Sequence, residues 1–306
     1  GITKFKCATI AEAEMAADSG APDVMLAGQP VGPNVRRFIA LMKRFPATRF
    51  STMADDDAAI RELSRHALAA GVTIDIFLDL DVGQHRTGVA PGARAVELYH
   101  LINVLPALHA AGLHGYDGHI HEPDPAARTA LCEAAFAPAD ALRAELERAG
   151  MPVPRFVAGG SPTFPIHARR NVECSPGTTV LWDAGYGRKL RDLPFEPAAL
   201  LLTRVVSKPA ENRLCLDLGH KAVAAEMPHP RVIFPVLHDV NPVVHSEEHL
   251  VIETPRGPEF AVGDALLGIP WHVCPTVALH SEVWALQNGE ATERWPVVAR
   301  ARRITI

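Results

Sequence analysis

An imidazole and a thiol stand two positions apart near the C-terminal end, in the segment 271–276 with the sequence WHVCPT. If this segment is extended, His272 and Cys274 leave the backbone on the same face. Such a pair could hold a borderline or soft divalent ion. Two ligands do not complete a zinc site, however, and a free cysteine is also a common small buried residue. The spacing alone leaves a metal site and an ordinary structural role open.

Two loops that follow predicted strands combine glycines with hydroxyl side chains: GGSPT over 159–163 and GTT over 177–179. Glycine turns can present backbone N–H groups to a phosphate because no Cβ stands in the way. The loops after the last two strands of a β/α barrel are the usual place for such a site. The pattern predicts a phosphate site with the candidate residues Gly159, Gly160, Ser161, Thr163, Gly177 and Thr178.

Further polar side chains follow two central predicted strands. Arg86 lies in a glycine-flanked loop, where it could bind a ligand or pair with Asp79 or Asp81 at the barrel rim. Tyr116 and His119 end the next strand, where a ring could pack on a flat ligand or hydrogen-bond to it. Functional residues of such barrels lie at the carboxyl ends of the strands. We therefore predict a functional role for His119.

Short apolar strands alternate with amphipathic helices through the first 180 residues, and Thr9 with Glu12 forms a capping box at the first change from strand to helix. This alternation is typical of parallel β/α units and predicts an α/β fold, a TIM-like (β/α)8 barrel. A helix is predicted at about 93–110 and a strand at 113–120. Seven strands are found, beginning near Phe5, Asp23, Arg49, Ile74, Leu113, Phe156 and Val172. Since the barrel needs eight strands, we expect the first one to precede Gly1.

The pattern changes at about residue 181. From there, short apolar runs are separated by proline, glycine, asparagine and aspartate, and no convincing helix is found. We predict two domains, a barrel over 1–180 and a mostly-β domain over 181–306 that carries His272 and Cys274.

Composition excludes several classes of protein. The 306 residues are 48% hydrophobic, which is ample for a packed core. A net charge of −5 and scattered basic residues give no nucleic-acid footprint. No apolar run is long enough for a membrane span, and no signal peptide is found. Five widely spaced cysteines predict no disulfide framework, so we expect a cytoplasmic protein.

Several of these motifs together resemble the D-threonine aldolase and eukaryotic-type D-serine dehydratase family, whose members are alanine racemase-like, fold-type III pyridoxal-phosphate enzymes. The resemblance covers essentially all 306 residues, and the combination of motifs is specific although each motif alone is not. The matching stretches are KCATIAEAE at 6–14, 79–88, YDGH at 116–119, GGSPT at 159–163, PGT at 176–178 and HVCPT at 272–276.

The resemblance implies pyridoxal 5'-phosphate at the barrel mouth, with its phosphate on the two glycine loops. Arg86 would approach the phenolic oxygen of the cofactor, and Tyr116 would lie near its ring. His272 and Cys274 would hold a divalent metal ion, Zn, Mn or Mg, in an open site that substrate and water complete. A homodimer is also implied, because related barrels complete the active site with the partner's β domain.

Two departures from the family pattern stand out. The Schiff-base lysine of the family belongs to the first barrel strand, and no motif in this sequence matches it. We therefore expect that lysine upstream of Gly1, on the strand that the count of seven lacks. Ser175 occupies the position before Pro-Gly where alanine racemases carry an arginine that faces the pyridine nitrogen. Racemisation of the usual kind is thus disfavoured.

The implied activity is a metal-activated lyase that cleaves β-hydroxy-D-amino acids, for example D-threonine to glycine and acetaldehyde. Dehydration of D-serine or D-threo-3-hydroxyaspartate is the alternative. Cys274 favours dehydration, because by resemblance the aldolases often carry aspartate there, whereas the surroundings of 7–14 and 275–276 favour the aldolase. A non-catalytic pyridoxal-phosphate-binding protein is a third, remote interpretation.

Overall fold

The computed structural model describes residues 1–306. The chain divides into two units, one formed by 1–176 with 301–306 and the other by 177–300. The limits of 1–180 and 181–306 that the sequence suggests for the two domains stay a prediction.

The first unit contains a seven-stranded parallel sheet whose strands follow one another in chain order. The strands are β1 Lys4–Cys7, β2 Asp23–Leu26, β3 Arg49–Ala54, β4 Ile74–Leu80, β5 Leu108–Gly115, β6 Arg155–Ala158 and β7 Glu173–Cys174. The count of seven and the barrel-like α/β class are therefore confirmed. The expectation that another strand and a lysine precede Gly1 stays a prediction.

Helices connect these strands: α1 Ile10–Asp18, α2 Pro33–Arg44, α3 Asp57–Ala70, α4 Ala93–Val104, α5 Pro125–Arg148 and the short α6 Phe164–His167. The predicted capping box is present, since the Glu12 backbone N–H donates to Thr9 Oγ1 at 3.2 Å and the Thr9 N–H donates to Glu12 Oε2 at 3.1 Å. Asp56 and Asp124 cap α3 and α5, where each carboxylate accepts from a backbone N–H of the first helical turn. These caps satisfy backbone donors that would otherwise have no partner at a helix start.

The helices cover the sheet with a continuous apolar core that includes Phe38, Phe136, Phe156 and Tyr99. In α3, for example, Ile60, Leu63 and Ala67 recur at helical spacing and all are fully buried. Each large side chain buried in this way stabilises the fold by about 1.5–3 kcal/mol. Helix positions are thus fixed mainly by burial of one face.

The fifth strand lies earlier than its prediction. The helix predicted to reach residue 110 ends at Val104, and the strand predicted at 113–120 spans Leu108–Gly115. Pro106 explains the early helix end, because the residue before a proline avoids helical backbone, and Leu105 is extended at φ −75° and ψ 137°. Gly112 has φ +140°, and a Cβ there would lie 1.8 Å from the Arg155 carbonyl oxygen. Only glycine allows β5 and β6 to approach so closely.

The second unit contains a six-stranded antiparallel sheet in the order β10-β13-β8-β9-β12-β11 and a separate hairpin, β14-β15. The strands are β8 Leu201–Ala210, β9 Arg213–Leu216, β10 Val232–Ile233, β11 Asn241–His245, β12 Leu250–Glu253, β13 Ala265–Pro270, β14 Glu282–Gln287 and β15 Glu290–Pro296. Leu214, Leu216, Leu250 and Ile252 form part of its apolar core. The predicted β-rich character of this part of the chain is confirmed.

The prediction that this part lacks helices is wrong, because it contains α7 Ala184–Lys189 and α8 Val273–Leu279. The extended segment predicted at 271–276 is also wrong. His272 is extended, at φ −129° and ψ 105°, but it caps α8, so Cys274 lies in the first helical turn. Pro275 fits this turn because the first helical residues need no internal N–H donor.

Helices of the length and apolarity needed to cross a membrane are absent from the 306 residues.

Candidate active site

Lys6 of β1 is a mostly buried lysine in the first unit. Its Nζ donates to Ser175 Oγ at 2.6 Å and lies 3.5 Å from His114 Nε2. Burial lowers the Lys6 pKa to about 8, although Asp117 and Asp79 oppose this shift. Ser175 Oγ in turn donates to the Gly159 carbonyl oxygen at 2.9 Å. Lys6 is therefore a cation that touches the loop region predicted to bind phosphate, and the sequence did not single it out.

Tyr116 has two cations near its ring. Lys6 Nζ lies 5.3 Å from the ring centroid, and the Arg86 guanidinium carbon lies 5.1 Å from it, both within the range of cation–π attraction. A Cβ on Gly118 would lie 2.5 Å from the same ring. The structure thus brings together Arg86 and Tyr116, two residues that the sequence predicts to bind cofactor.

His119 is exposed and lies against the loop that follows β4. A Cβ on Gly83 would approach His119 Nε2 to 3.1 Å. The neighbouring carboxylates do not pair with Arg86. Asp81 accepts from His85 Nδ1 at 2.8 Å, and Asp79 accepts from His114 Nδ1 at 2.7 Å. Arg86 therefore does not form the ion pair with Asp79 or Asp81 that the sequence left open.

The carboxylate of Asp117, a fully buried residue, holds the GGSPT loop. Its Oδ1 accepts from the Gly160 backbone N–H and from the Thr163 hydroxyl, each at 2.9 Å. The Gly159 N–H donates to the Gly115 carbonyl oxygen at 3.0 Å. These predicted phosphate donors therefore already bond within the protein, where they fix the shape of the loop, and Ser161 is also buried.

Behind this loop, Asp117, Cys132 and His167 form a buried group whose possible ligand atoms lie within 4.8 Å of one another and could hold a metal ion. His167 Nε2 lies 2.9 Å from Asp117 Oδ2, and Cys132 Sγ lies 3.8 Å from the same oxygen. Burial raises the pKa of Cys132 to about 12. The thiol is neutral, and the His167 nitrogen lies at hydrogen-bond distance from the Asp117 carboxylate. These contacts indicate a hydrogen-bonded network that holds Asp117 in place. Sequence spacing carries no signal for this group, because its members come from three separate elements.

The second predicted phosphate loop belongs to the other unit. Gly177 is exposed and precedes a single turn of 3-10 helix, Thr178–Val180. The Thr178 carbonyl oxygen accepts from the Trp182 N–H at 2.6 Å. The roles of Gly177 and Thr178 as phosphate contacts stay predictions.

His272 and Cys274 do come together, although the backbone between them is not a strand. Interaction with Cys274 and, to a smaller extent, with Glu226 raises the pKa of His272 to about 9 against the effect of burial. Glu226 Oε1 lies 2.5 Å from His272 Nδ1. An imidazole and a thiol are ligand types that zinc prefers, and a carboxylate bonded to the imidazole is a common outer partner of a histidine ligand. Glu226 is a partner of His272 that the sequence did not reveal.

The start of α8 is fixed by a carboxylate from 90 residues away in the chain. Asp183 Oδ2 accepts from the Val273 N–H at 3.0 Å, and its Oδ1 accepts from the Tyr186 N–H at 2.9 Å. Asp183 therefore caps α7 and α8 at once. The Gly185 N–H also donates to the Trp271 carbonyl oxygen at 3.0 Å, so the backbone around His272 is well anchored.

The low pKa of Lys6 gives stability a defined pH dependence. Below about pH 8 the lysine is protonated in the folded and unfolded states, and between 8 and 10.5 only the unfolded state binds the proton. Unfolding is therefore increasingly disfavoured as the pH rises through this window. Relative to Lys6→Met, we expect the wild type to gain about 3 kcal/mol of unfolding free energy, at about 1.4 kcal/mol per pKa unit. Urea unfolding of both proteins between pH 7 and 10.5 measures this gain, and a constant difference between them contradicts it.

Two protein families match the chain. The alanine racemase N-terminal domain family matches residues 1–182, and the putative serine dehydratase domain family matches residues 198–286. D-threonine aldolase of Arthrobacter sp. is 28% identical over 305 residues, covering 98% of this chain and 80% of that protein. The 3-hydroxy-D-aspartate aldolase of Paracoccus denitrificans (strain Pd 1222) is 30% identical over 307 residues, covering 97% and 78%.

The crystal structure of D-threonine aldolase from Filomicrobium marinum superposes with a TM-score of 0.91 at 28% identity, over 99% of this chain and 84% of that one. The two halves of the sequence thus match consecutive parts of one known arrangement, a parallel β/α unit followed by a β unit. The chain belongs to the alanine racemase-like, fold-type III pyridoxal-phosphate lyases, the family of D-threonine aldolase and eukaryotic-type D-serine dehydratase.

Proposed function

We propose that the protein is a metal-activated pyridoxal-phosphate lyase that cleaves β-hydroxy-D-amino acids by an aldolase reaction, as D-threonine to glycine and acetaldehyde. The observation that carries this proposal is similarity along nearly the whole chain to two proteins named as aldolases, at 28% and 30% identity. The ligand types of His272 and Cys274, with Glu226 bonded to His272, support the metal requirement.

Residues of the first unit fit the cofactor. Lys6 and Arg86 place two positive charges near the Tyr116 ring, which suits an anionic aromatic ligand. A Cβ on Gly160 would lie 3.1 Å from the Tyr116 ring, so a larger residue there would press on this ring. Tyr116 would pack on the cofactor ring, and Arg86 would donate to its phenolic oxygen. The GGSPT loop would lie against the phosphate, although its Gly159, Gly160 and Thr163 donors bond within the protein and would fix the shape of the loop. Bound pyridoxal phosphate supplies an electron sink that weakens the bonds at the substrate Cα.

Residues of the second unit fit the divalent ion. His272 and Cys274 would hold it, and its charge would lower the pKa of the substrate's β-hydroxyl, which must lose its proton for cleavage. His119 is exposed beside the Arg86 loop, and we assign to it the exchange of a proton with substrate. Ser175, which accepts a hydrogen bond from Lys6, stands where alanine racemases carry the arginine that faces the pyridine nitrogen. The lack of that arginine disfavours racemisation.

Dehydration is the second candidate, and Cys274 favours it together with the match of 198–286 to a putative serine dehydratase domain. The products of D-threonine distinguish the two reactions. We expect the full-length protein, supplied with pyridoxal phosphate and Mn²⁺ or Zn²⁺, to release glycine and acetaldehyde. Release of 2-oxobutanoate would establish dehydration, and bound cofactor without either product would establish a non-catalytic protein. Small-molecule β-hydroxy-D-amino acids are the proposed substrates, and a homodimer is the proposed assembly.

Removal of the metal provides a separate prediction. We expect a strong chelator to abolish the lyase activity while the visible absorbance of bound cofactor persists, because metal ligands and cofactor contacts are different residues. Activity should return when Mn²⁺ or Zn²⁺ is added in excess of the chelator. Full activity after exhaustive chelation would contradict the metal requirement.

A further inference from the structure

Glu226 comes from an irregular segment that follows β9 and lies beside α8 of the same unit. Its carboxylate contacts one specific nitrogen of the candidate metal ligand, with Oε1 at 2.5 Å from His272 Nδ1. Both side chains are somewhat less than half exposed, at 45% and 43%. A surface ion pair of this exposure contributes little stability by itself, so stability does not account for the contact.

The segment that carries Glu226 is docked on α8 by contacts of its own. The Ala224 backbone N–H donates to Thr276 Oγ1 at 3.2 Å, and the Thr276 hydroxyl donates to the His272 carbonyl oxygen at 2.8 Å. His280 Nε2 donates to the Ala222 carbonyl oxygen at 2.8 Å. Glu226 is therefore attached to a backbone that is already fixed against the helix bearing Cys274, and its carboxylate has a defined position.

The chemistry of a histidine ligand requires such a partner. A neutral imidazole has one N–H and one lone pair, and a carboxylate that accepts from Nδ1–H leaves the lone pair on Nε2. Carboxylates bound to the far nitrogen of a metal-ligating histidine fix its tautomer and ring orientation and raise its basicity. Glu226 stands in this relation to His272.

We propose that Glu226 is a positioning residue that fixes the tautomer and ring orientation of His272, so that Nε2 and the Cys274 sulfur bind a divalent metal ion. This inference rests on the proposed function, which places the metal on His272 and Cys274. Glu226 itself accepts the Nδ1 proton and does not bind the ion.

Titration with Co²⁺ alone tests the role without measuring activity. Cobalt replaces zinc in such sites, and its bond to a thiolate adds an intense charge-transfer absorption that reports on Cys274. We expect Glu226→Ala to weaken Co²⁺ binding by about 10–100-fold, the usual effect of removing an outer partner of a metal ligand. Glu226→Gln should bind within about threefold of wild type, because its amide oxygen still accepts from Nδ1–H. Glu290→Ala, at an exposed glutamate of β15, should bind like the wild type.

The outcomes separate this role from others. Unchanged affinity in Glu226→Ala overturns the proposal, and equal losses in Glu226→Ala and Glu226→Gln overturn it in favour of a directly bound carboxylate. If the wild type itself shows no thiolate-to-cobalt absorption, the metal site of the proposed function fails together with this inference. A normal wild-type spectrum with unaffected variants overturns only the role of Glu226. Urea unfolding of Glu226→Ala should match the wild type within about 1 kcal/mol, as for other exposed pairs.

Discussion

Asp117→Ala should destabilise the protein by about 3–5 kcal/mol, the usual loss when one partner of a buried charged network is removed. The carboxylate accepts from Gly160 N–H, the Thr163 hydroxyl and His167 Nε2, all at 2.9 Å. Deletion leaves these donors buried without a partner, and each costs about 1–3 kcal/mol if no water enters. Urea unfolding monitored by circular dichroism measures the loss.

Asp117→Asn keeps the test informative if the alanine variant does not fold. Its amide oxygen can still accept from Gly160 and Thr163, but its NH₂ group then faces the Nε2–H of His167. The alternative His167 tautomer relieves that clash only by moving the proton to Nδ1, which is buried and has no hydrogen-bond partner. We expect the free energy of unfolding to fall by about 1–3 kcal/mol. Pyridoxal phosphate should also bind more weakly, which a fluorescence titration measures.

Asp140→Ala serves as the matched control. Asp140 is half exposed and pairs with Arg170 on the surface of α5. Solvent screens an ion pair whose carboxylate is half exposed, so the pair contributes about 0–1 kcal/mol and this variant should unfold close to the wild type. If Asp117→Ala is as stable as Asp140→Ala, the carboxylate does not hold the loop, and its hydrogen bonds contribute no net stability.

Those parts of the fold that depend on local sequence signals, such as helix starts and apolar periodicity, could be predicted from the sequence. The helix Pro33–Arg44 carries its signals locally, because a proline marks its start and its apolar face is periodic. The fifth strand was misplaced because its sequence, LHAAGLHG, contains small residues that suit a helix as well as a strand. Its true position depends on the close approach of Gly112 to Arg155, a contact between distant parts of the chain.

The same limit separates the predicted site residues from the missed ones. Arg86 and Tyr116 could be predicted because both follow the carboxyl ends of neighbouring strands, and the parallel sheet brings them to the same region. Lys6 was passed over because its cationic role depends on the distant partners Ser175 and His114. Glu226 lies 46 residues before His272, in a segment without periodic structure. No spacing rule relates two such residues, so only the fold reveals the pair.

The helix start at His272 shows the reverse case, in which a wrong local prediction leaves the chemical prediction open. Side chains two apart share a face on a strand but usually diverge on a helix. Here His272 is the extended cap and Cys274 the second helical residue, so the change of backbone direction between them preserves their contact. The cap is specified by Asp183, which accepts from the Val273 N–H.

Cys274 gives the prediction with the largest expected effect on metal binding. Loss of an outer partner of a ligand costs about 10–100-fold, so loss of the ligand itself in Cys274→Ala should weaken Zn²⁺ binding by more than about 100-fold. Lyase activity at a fixed metal concentration should fall in parallel and recover partly at high metal. Cys215→Ala is the matched control, since Cys215 lies on β9 of the same unit and is not a proposed metal ligand.

Cys274→Asp tests whether the thiol selects the ion. A carboxylate keeps a second ligand beside His272 but is harder than a thiolate, so the ratio of Zn²⁺ to Mn²⁺ affinity should fall by about tenfold or more. Competition between the two ions, read from the metal content of the dialysed protein, measures this ratio. An unchanged ratio would mean that Cys274 does not bind the metal. If the thiol also favours departure of hydroxide, the aspartate variant should form less 2-oxobutanoate relative to glycine from D-threonine. The relation between ligand and reaction can therefore be tested at a single residue.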